Sequence, residues 1–186
     1  MTVFAETERM DLRTLEKSEL PRLADLLGEW DIVRWLTVVP FPYTVKHAEE
    51  FYGDLQPGYA KGEPQFFVMS LKTDGKLIGG VGLHPPRGTN AAAGESEIGY
   101  WLGRDYWGRG LMSEAAGAVI DFAFNQIGTE AVCASTSPDN KASQKVLQKM
   151  GLRDCGVCLR DYEALRGSDK IIRWLLTRGD YEKGRA

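Results

Sequence analysis

Polar and apolar positions alternate along residues 9–15, which reads as a first strand. Leu20, Leu23, Leu26 and Leu27 then recur at helical spacing up to Glu29, behind Ser18 at the place of an N-cap. Residues 30–36 continue this helix as a short helical piece. The two prolines of VVPFPY break it, Thr44 caps a second helix running to about Leu55, and Pro57 and Gly58 end that one. Residues 65–73 and 76–83 are apolar and β-rich around Asp74-Gly75, the dipeptide that suits a two-residue hairpin turn. HPPRGTNAAAG, residues 84–94, predicts a mobile surface loop, and residues 95–103 a further strand. Leu111, Ala115, Ala118, Val119 and Phe122 form one apolar stripe on a helix over about 110–126. Residues 130–135 have the pattern of a buried strand. Ser137-Pro138 predicts an N-cap and first helical position, and the helix runs to about Met150 with Ser143, Val146, Leu147 and Met150 on one stripe, ended by Gly151. Residues 152–160 and 170–178 close the chain as two strands around a turn at Gly167-Ser168. The order is βααβββαβαββ, an α/β chain with a mixed sheet and no repeat or linker.

The junction between the 95–103 strand and the following helix carries the strongest chemical signal, YWGRGLMSEA, residues 106–115. Gly108 and Gly110 permit a sharp turn, and the first amides of the next helix have no intrahelical partner. Free N–H groups at the positive end of a helix dipole favour phosphate or pyrophosphate, and Arg109 adds a mobile cation. The pattern is neither G-x-G-x-x-G, since Ser113 holds the third glycine position, nor a P-loop.

Length and charge narrow the classes. A chain of 186 residues with net charge −3 and interspersed signs fits one domain and lacks the basic stripe of a nucleic-acid binder. No basic region followed by an apolar core opens the chain, and no apolar run approaches ~20 residues; a soluble cytoplasmic protein without membrane contact is expected. Three cysteines, Cys133, Cys155 and Cys158, point to reduced thiols. The C-x-x-C pair at 155–158 lacks a second pair to complete a zinc site, so no metal is expected.

Three blocks in order, EIGYWL (97–102), YWGRGLMSEA and SPDNKASQKVLQKMGL (137–152), resemble the GNAT superfamily of acetyl-CoA-dependent N-acetyltransferases, in the branch of ribosomal-protein N-terminal (alanine/serine) acetyltransferases. TERMDLR (7–13) and LRDYEALRGSDK (159–170) are similar to the same branch. The resemblance implies a single N-acetyltransferase domain over residues 1–186, with a mixed, mostly antiparallel central sheet flanked by helices. It further implies a β-strand at 97–102 that splays from the next strand, with pantetheine in the gap. Backbone groups of Tyr100, Trp101 and Leu102 are then expected to bond its amides. The amides of Trp107, Gly108, Arg109, Gly110, Leu111 and Met112 hold the pyrophosphate, and Asn140 and Ser143 contact the pantetheine arm near the sulfur. Of the pattern Gln/Arg-x-x-Gly-x-Gly/Ala only Gly110 is matched, because Trp107 and Met112 replace the outer members. Without the resemblance, Asn140 is a first-turn helix residue and Ser143 a hydroxyl bonded to its own helix.

An amine attacks an acyl carbon only when neutral. At pH 7 that is ~0.04% of a lysine-type amine and ~15% of an α-amine, from their reference pKa values. Glu97 is the candidate base, directly or through one water, with Glu95 as fallback; the alternative is an exposed strand-end carboxylate. A backbone N–H near Tyr100 would hold the oxyanion. Many relatives supply a tyrosine seven residues after the Asn, where this chain has Leu147, so Ser143 is expected to polarise the departing thiolate instead. Trp30, Trp35, Phe41 and Tyr43 surround the helices that form the acceptor wall in relatives, although aromatics are more often core, and Arg34 is either an acceptor contact or a surface cation. His47, His84, Ser113 and Cys133 read as non-catalytic. The expected activity is acetyl transfer from acetyl-CoA to a primary amine, at a protein N-terminus or on a small molecule, by direct attack in a ternary complex, with a monomer or homodimer as the unit. The competing reading is a non-catalytic acyl-CoA-binding sensor, motivated by Leu147 and Trp107.

Overall fold

A computed structural model describes residues 1–87, 92–161, 163–165, 167 and 169–184. Residues 88–91 of the expected surface loop and Ser168 of the closing turn lie outside the described residues. The elements are β1 (Val3–Glu6), β2 (Met10–Arg13), α1 (Leu20–Leu27), α2 (Trp30–Val33), α3 (Val45–Lys61), β3 (Phe66–Leu71), β4 (Leu77–His84), β5 (Glu95–Leu102), α4 (Leu111–Phe122), β6 (Ala131–Thr136), α5 (Lys141–Lys149), β7 (Arg153–Leu159), β8 (Lys170–Thr177) and α6 (Arg178–Lys183). The strands form one sheet in the order β1-β2-β3-β4-β5-β6-β8-β7. Its pairs are antiparallel except the parallel pair β5–β6. The expected α/β class and mixed, mostly antiparallel sheet are what is observed.

Two apolar cores lie on opposite faces. One packs Met10, Phe67, Ile78, Val81, Ile98 and Leu102 against Leu111, Ala115, Val119 and Leu147 of α4 and α5. The other packs Phe66, Val68 and Leu77 against Leu20, Leu23 and Leu27 of α1 and Ala48 and Leu55 of α3. Strand alternation sends neighbouring residues of β3 to different cores, which explains why the run FFVM, residues 66–69, is apolar throughout.

Several expected boundaries are corrected. β1 was not foreseen; it pairs with β2, and the 9–15 strand shrinks to Met10–Arg13. Glu16, not Ser18, caps a short 3-10 turn ahead of α1. The 30–36 piece is not a continuation, because Gly28 closes α1 and Glu29 is extended. α3 does not stop at Pro57 and Gly58; it ends at Gly62, which takes the left-handed conformation with φ 74°. The missing Pro57 amide is outweighed by what the last turn gains. The Tyr59 hydroxyl donates to the Phe66 carbonyl at 2.9 Å and accepts the Leu15 amide at 3.2 Å, tying α3 to the sheet. Tyr59→Phe is therefore expected to lose about 1–2 kcal/mol of stability in urea denaturation. The Asp74-Gly75 turn is longer than two residues, with Leu71 and Lys76 paired across it and Gly75 at φ 69°. α4 yields after Phe122 to a π-helical turn, Ala123–Ile127, and α6 was not foreseen.

Candidate active site

β5 and β6 run side by side only at Glu95↔Ala131, Ser96↔Val132 and Glu97↔Cys133. Beyond these, β5 stays with β4 to Leu102, and β6 stays with β8 to Thr136. The two strands therefore part at Ile98, and the β5 edge that faced β6 becomes an open row of backbone donors and acceptors. This is the splay that the resemblance implied.

At the far end of β5 the chain makes the glycine turn. Gly108 and Gly110 have φ 75° and 76°, the region where a Cβ is strained. Gly110 is the N-cap of α4 and has no side chain, so the amides of Leu111, Met112 and Ser113 open outward without an intrahelical acceptor. Arg9 braces the turn from outside. Its Nη1 donates to the Arg109 carbonyl at 2.9 Å, while its Nε and backbone amide donate to the Glu114 carboxylate at 2.6 and 2.9 Å. Nothing in the spacing of the sequence pointed to Arg9 for this role. The Trp107 indole N–H donates to the Leu102 carbonyl at 2.7 Å, pinning the turn to the end of β5 and occupying a carbonyl that had been expected to face pantetheine. The Arg109 guanidinium stands 5.8 Å from the Tyr106 ring centroid.

α5 supplies the opposite wall. The expected cap at Ser137-Pro138 is not used; Asn140 is the N-cap, its Oδ1 accepting the Ser143 amide at 3.1 Å. That choice leaves the Asn140 Nδ2 donors without a protein partner among the described residues. Ser143 is not bonded back to its own helix: its Oγ lies 2.9 Å from the Tyr100 hydroxyl, which also reaches the Ser143 carbonyl at 3.1 Å. Burial raises the Tyr100 pKa, only partly offset by the Ser143 contact, so the phenol stays protonated. With the phenolic hydrogen on the Ser143 carbonyl, Oγ–H donates to Tyr100; when that hydrogen turns to Oγ instead, the Ser143 proton is free for another acceptor. Leu147 is fully buried in the core and supplies no polar group.

The other face of β5 carries Glu95, Glu97, Gly99 and Trp101. Glu97, 8% exposed, sits where the splay begins, and its Oε2 accepts the Arg87 amide at 3.1 Å. No cation pairs with it among the described residues. Glu95 is held by Arg173 at 2.6 Å, which makes the fallback base the weaker candidate. Cys133, beside Glu97 on β6, has its thiol pushed up to about 12 by burial and then by Glu97 and Glu95, so it remains protonated. The two histidines separate in role. His47 accepts the Thr44 amide at 3.1 Å and caps α3, whereas the β4–β5 register sets His84 opposite Glu97. The sequence signal for this was present: His84 and Glu97 flank one loop between two strands.

The segment after α2 meets the β7–β8 loop. α2 itself is tied to the turn after β5 by Asp31–Arg104 at 2.7 Å, and the Thr37 carbonyl accepts the Leu165 amide from the β7–β8 loop at 2.8 Å. Trp30, which opens α2, and Phe41, from the segment after it, pack edge to face at 5.1 Å, each about half exposed. Tyr43 is core, and Arg34 stacks on Trp35 at 4.7 Å. No group of three or more His, Cys, Asp or Glu able to hold a metal occurs among the described residues, and Cys155 and Cys158 are free thiols.

A strand that parts from its neighbour, a glycine turn at a helix start and a capped helix opposite define an acyltransferase of the GNAT type. Residues 9–153 match the family model described as "Acetyltransferase (GNAT) domain", and the chain belongs to that family. It is 34% identical over 168 residues to "Uncharacterized N-acetyltransferase YoaA" of Bacillus subtilis (strain 168), covering 90% of this chain and 92% of the relative. Among solved structures it is similar in fold to the ribosomal-protein-S5-alanine acetyltransferase of Vibrio fischeri, with TM-score 0.78, 21% identity, and coverage of 97% and 99%. The aminoglycoside acetyltransferase AAC(6')-Ib in complex with coenzyme A gives TM-score 0.72 at 20% identity, with coverage of 94% and 98%.

Proposed function

We propose that residues 1–186 act as one N-acetyltransferase domain that moves acetyl from acetyl-CoA to a primary amine by direct attack in a ternary complex. The observation that supports this reading is the splay: β5 and β6 part just past Glu97, and the glycine turn with its free helix amides follows at the far end of the same strand. The amides of Gly108 to Met112 receive the pyrophosphate; the Trp107 amide, expected among them, instead donates to the Arg104 carbonyl at 3.1 Å. The open edge at Tyr100 and the Nδ2 of Asn140 bind the pantetheine arm; the Trp101 backbone, expected to share this role, faces Gly80 of β4 in the antiparallel register. A backbone N–H near Tyr100 holds the oxyanion, a contact worth roughly 3 kcal/mol. Glu97 takes the amine proton, directly or through one water, and Ser143 hydrogen-bonds the departing sulfur with the Tyr100 hydroxyl behind it.

For the acceptor, an α-amine at a protein N-terminus is favoured by likeness to the S5-alanine acetyltransferase, and a small amine by likeness to the aminoglycoside enzyme. The half-exposed Trp30–Phe41 pair suits either a side chain next to an α-amine or an apolar ring. We place the protein in the cytoplasm, where acetyl-CoA and these acceptors meet; no helix among the described residues is long and apolar enough to cross a membrane.

Thiol release from acetyl-CoA across a panel of peptides and small amines tests the reading. Amine-dependent release supports transfer, and tight acetyl-CoA binding with release no faster than hydrolysis points to a sensor instead. Ser143→Ala is expected to slow turnover by about 10-fold, since it removes one hydrogen bond to a developing anion. Wild-type turnover and cofactor affinity in that variant would take Ser143 out of the site.

A further inference from the structure

His84 has both ring nitrogens engaged. Nδ1 lies 2.9 Å from the Pro85 carbonyl oxygen, and Nε2 lies 3.0 Å from Nη1 of Arg87. A carbonyl only accepts and a guanidinium only donates, so the neutral ring with its hydrogen on Nδ1 is the tautomer that satisfies both. Arg87 then turns back toward the strand pair, and its backbone amide donates to Glu97 Oε2 at 3.1 Å. Glu97 in turn stands opposite His84 in the β4–β5 register. A chain of two contacts thus links His84 through Arg87 to the carboxylate that lies across the strand pair from it.

We propose that His84 is a positioning residue for acetyl transfer: as a neutral ring it holds the Arg87 side chain, and through the Arg87 amide it aims the Glu97 carboxylate at the attacking amine. The inference rests on the reading of Glu97 as base. The amide contact fixes the direction of Oε2 and leaves Oε1 for the attacking amine.

Protonating His84 undoes this in two ways. The imidazolium has no lone pair for Arg87 and repels it, and its new charge, across the strand pair from Glu97, draws that carboxylate away from the attacking amine. The charged groups that bear on His84 are Arg87 from the loop and Glu97 from β5; farther along the same face are the Glu95–Arg173 pair and the protonated Cys133. Burial lowers the His84 pKa from its ordinary 6.5, the Pro85 carbonyl opposes that, Arg87 lowers it further and Glu97 raises it, with a net downward shift. His84 is neutral at pH 7, and the positioning is lost as pH falls through a value below 6.5.

Two measurements test the proposal. The chain has two histidines, so ¹⁵N imidazole spectra of the wild type and His47→Gln assign His84 directly. The expected spectrum is a neutral Nδ1–H tautomer titrating below pH 6.5; an Nε2–H tautomer, or a pKa at or above 6.5, overturns the arrangement whether or not an amine is turned over. The second is log kcat/KM against pH, by thiol release from acetyl-CoA with the best amine of the panel. Loss of the acceptor's own proton gives a slope of about 1, and the wild type is expected to steepen to about 2 below the His84 pKa. His84→Gln offers an amide N–H to Pro85 and an oxygen to Arg87 without titrating, so it should keep near-wild-type kcat at pH 7 and lose the steepening. His84→Ala and Arg87→Ala should lower kcat by about 10-fold with acetyl-CoA affinity unchanged. Steepening retained in His84→Gln, or wild-type kcat in both alanine variants, contradicts the role. Glu97→Gln separates the two levels: if it keeps wild-type turnover the base reading fails, and if it is impaired while every His84 and Arg87 variant behaves as wild type, only the positioning role fails.

Discussion

Glu97→Gln is expected to lower kcat by about 10²-fold or more at neutral pH, the usual yield of a positioned general base. Its affinity for acetyl-CoA should stay within about twofold. The expectation comes from the placement of the carboxylate: buried, at the point where β5 and β6 part, on the face opposite the Tyr100–Ser143 contact, and free of a cationic partner among the described residues. Glutamine has the same shape and accepts the Arg87 amide through its Oε1, so packing is preserved while proton acceptance is lost. The size of the effect also reports the acceptor. A lysine-type amine, neutral in ~0.04% of molecules at pH 7, depends on a base far more than an α-amine, neutral in ~15%. A larger loss with lysine-type acceptors than with peptide N-termini is therefore expected from one variant. Steady-state kinetics with saturating acetyl-CoA, alongside calorimetric binding of acetyl-CoA, reads both numbers; unchanged kcat would remove Glu97 from the chemistry.

Gly110→Ala is expected to cost about 1–2 kcal/mol of stability and about 10-fold in acetyl-CoA affinity. Space is not the reason. A Cβ there would meet only Arg9 Nη2, at 3.7 Å, an ordinary contact. The cost arises from φ 76°, which an L-residue avoids; relaxing that angle rotates the first amides of α4 away from the gap. Urea denaturation measures the first effect and calorimetry the second. Stability lost with affinity intact would show that the turn is structural and that the pyrophosphate binds elsewhere.

Much of this arrangement was legible from local chemistry. The glycine turn, the strand before it and the helix after it follow from residues 95–126 alone, because φ-permissive glycines, β-rich runs and a helical stripe are short-range signals. The same rules failed where distant contacts decide. α3 continues past Pro57 because Tyr59 reaches Leu15 and Phe66, partners that no window around the proline contains. Asn140 rather than Ser137 caps α5, and Ser143 is turned from its own helix to Tyr100, 43 residues away. Arg9 braces a turn 100 residues downstream. His84 reads as non-catalytic in the sequence because it lies far from His47 and in no triad order; its place depends on strand register, and register depends on the whole sheet.

The most direct test of acetyl transfer is a mass-shift screen in which a mixed library of peptides and small amines is incubated with the protein and acetyl-CoA. The expected result is that one class of primary amine gains an acetyl group, only with both protein and acetyl-CoA present, and much more slowly with Glu97→Gln. Tight binding of acetyl-CoA with no library member acetylated beyond the protein-free control would contradict transfer and leave a protein that binds the donor alone.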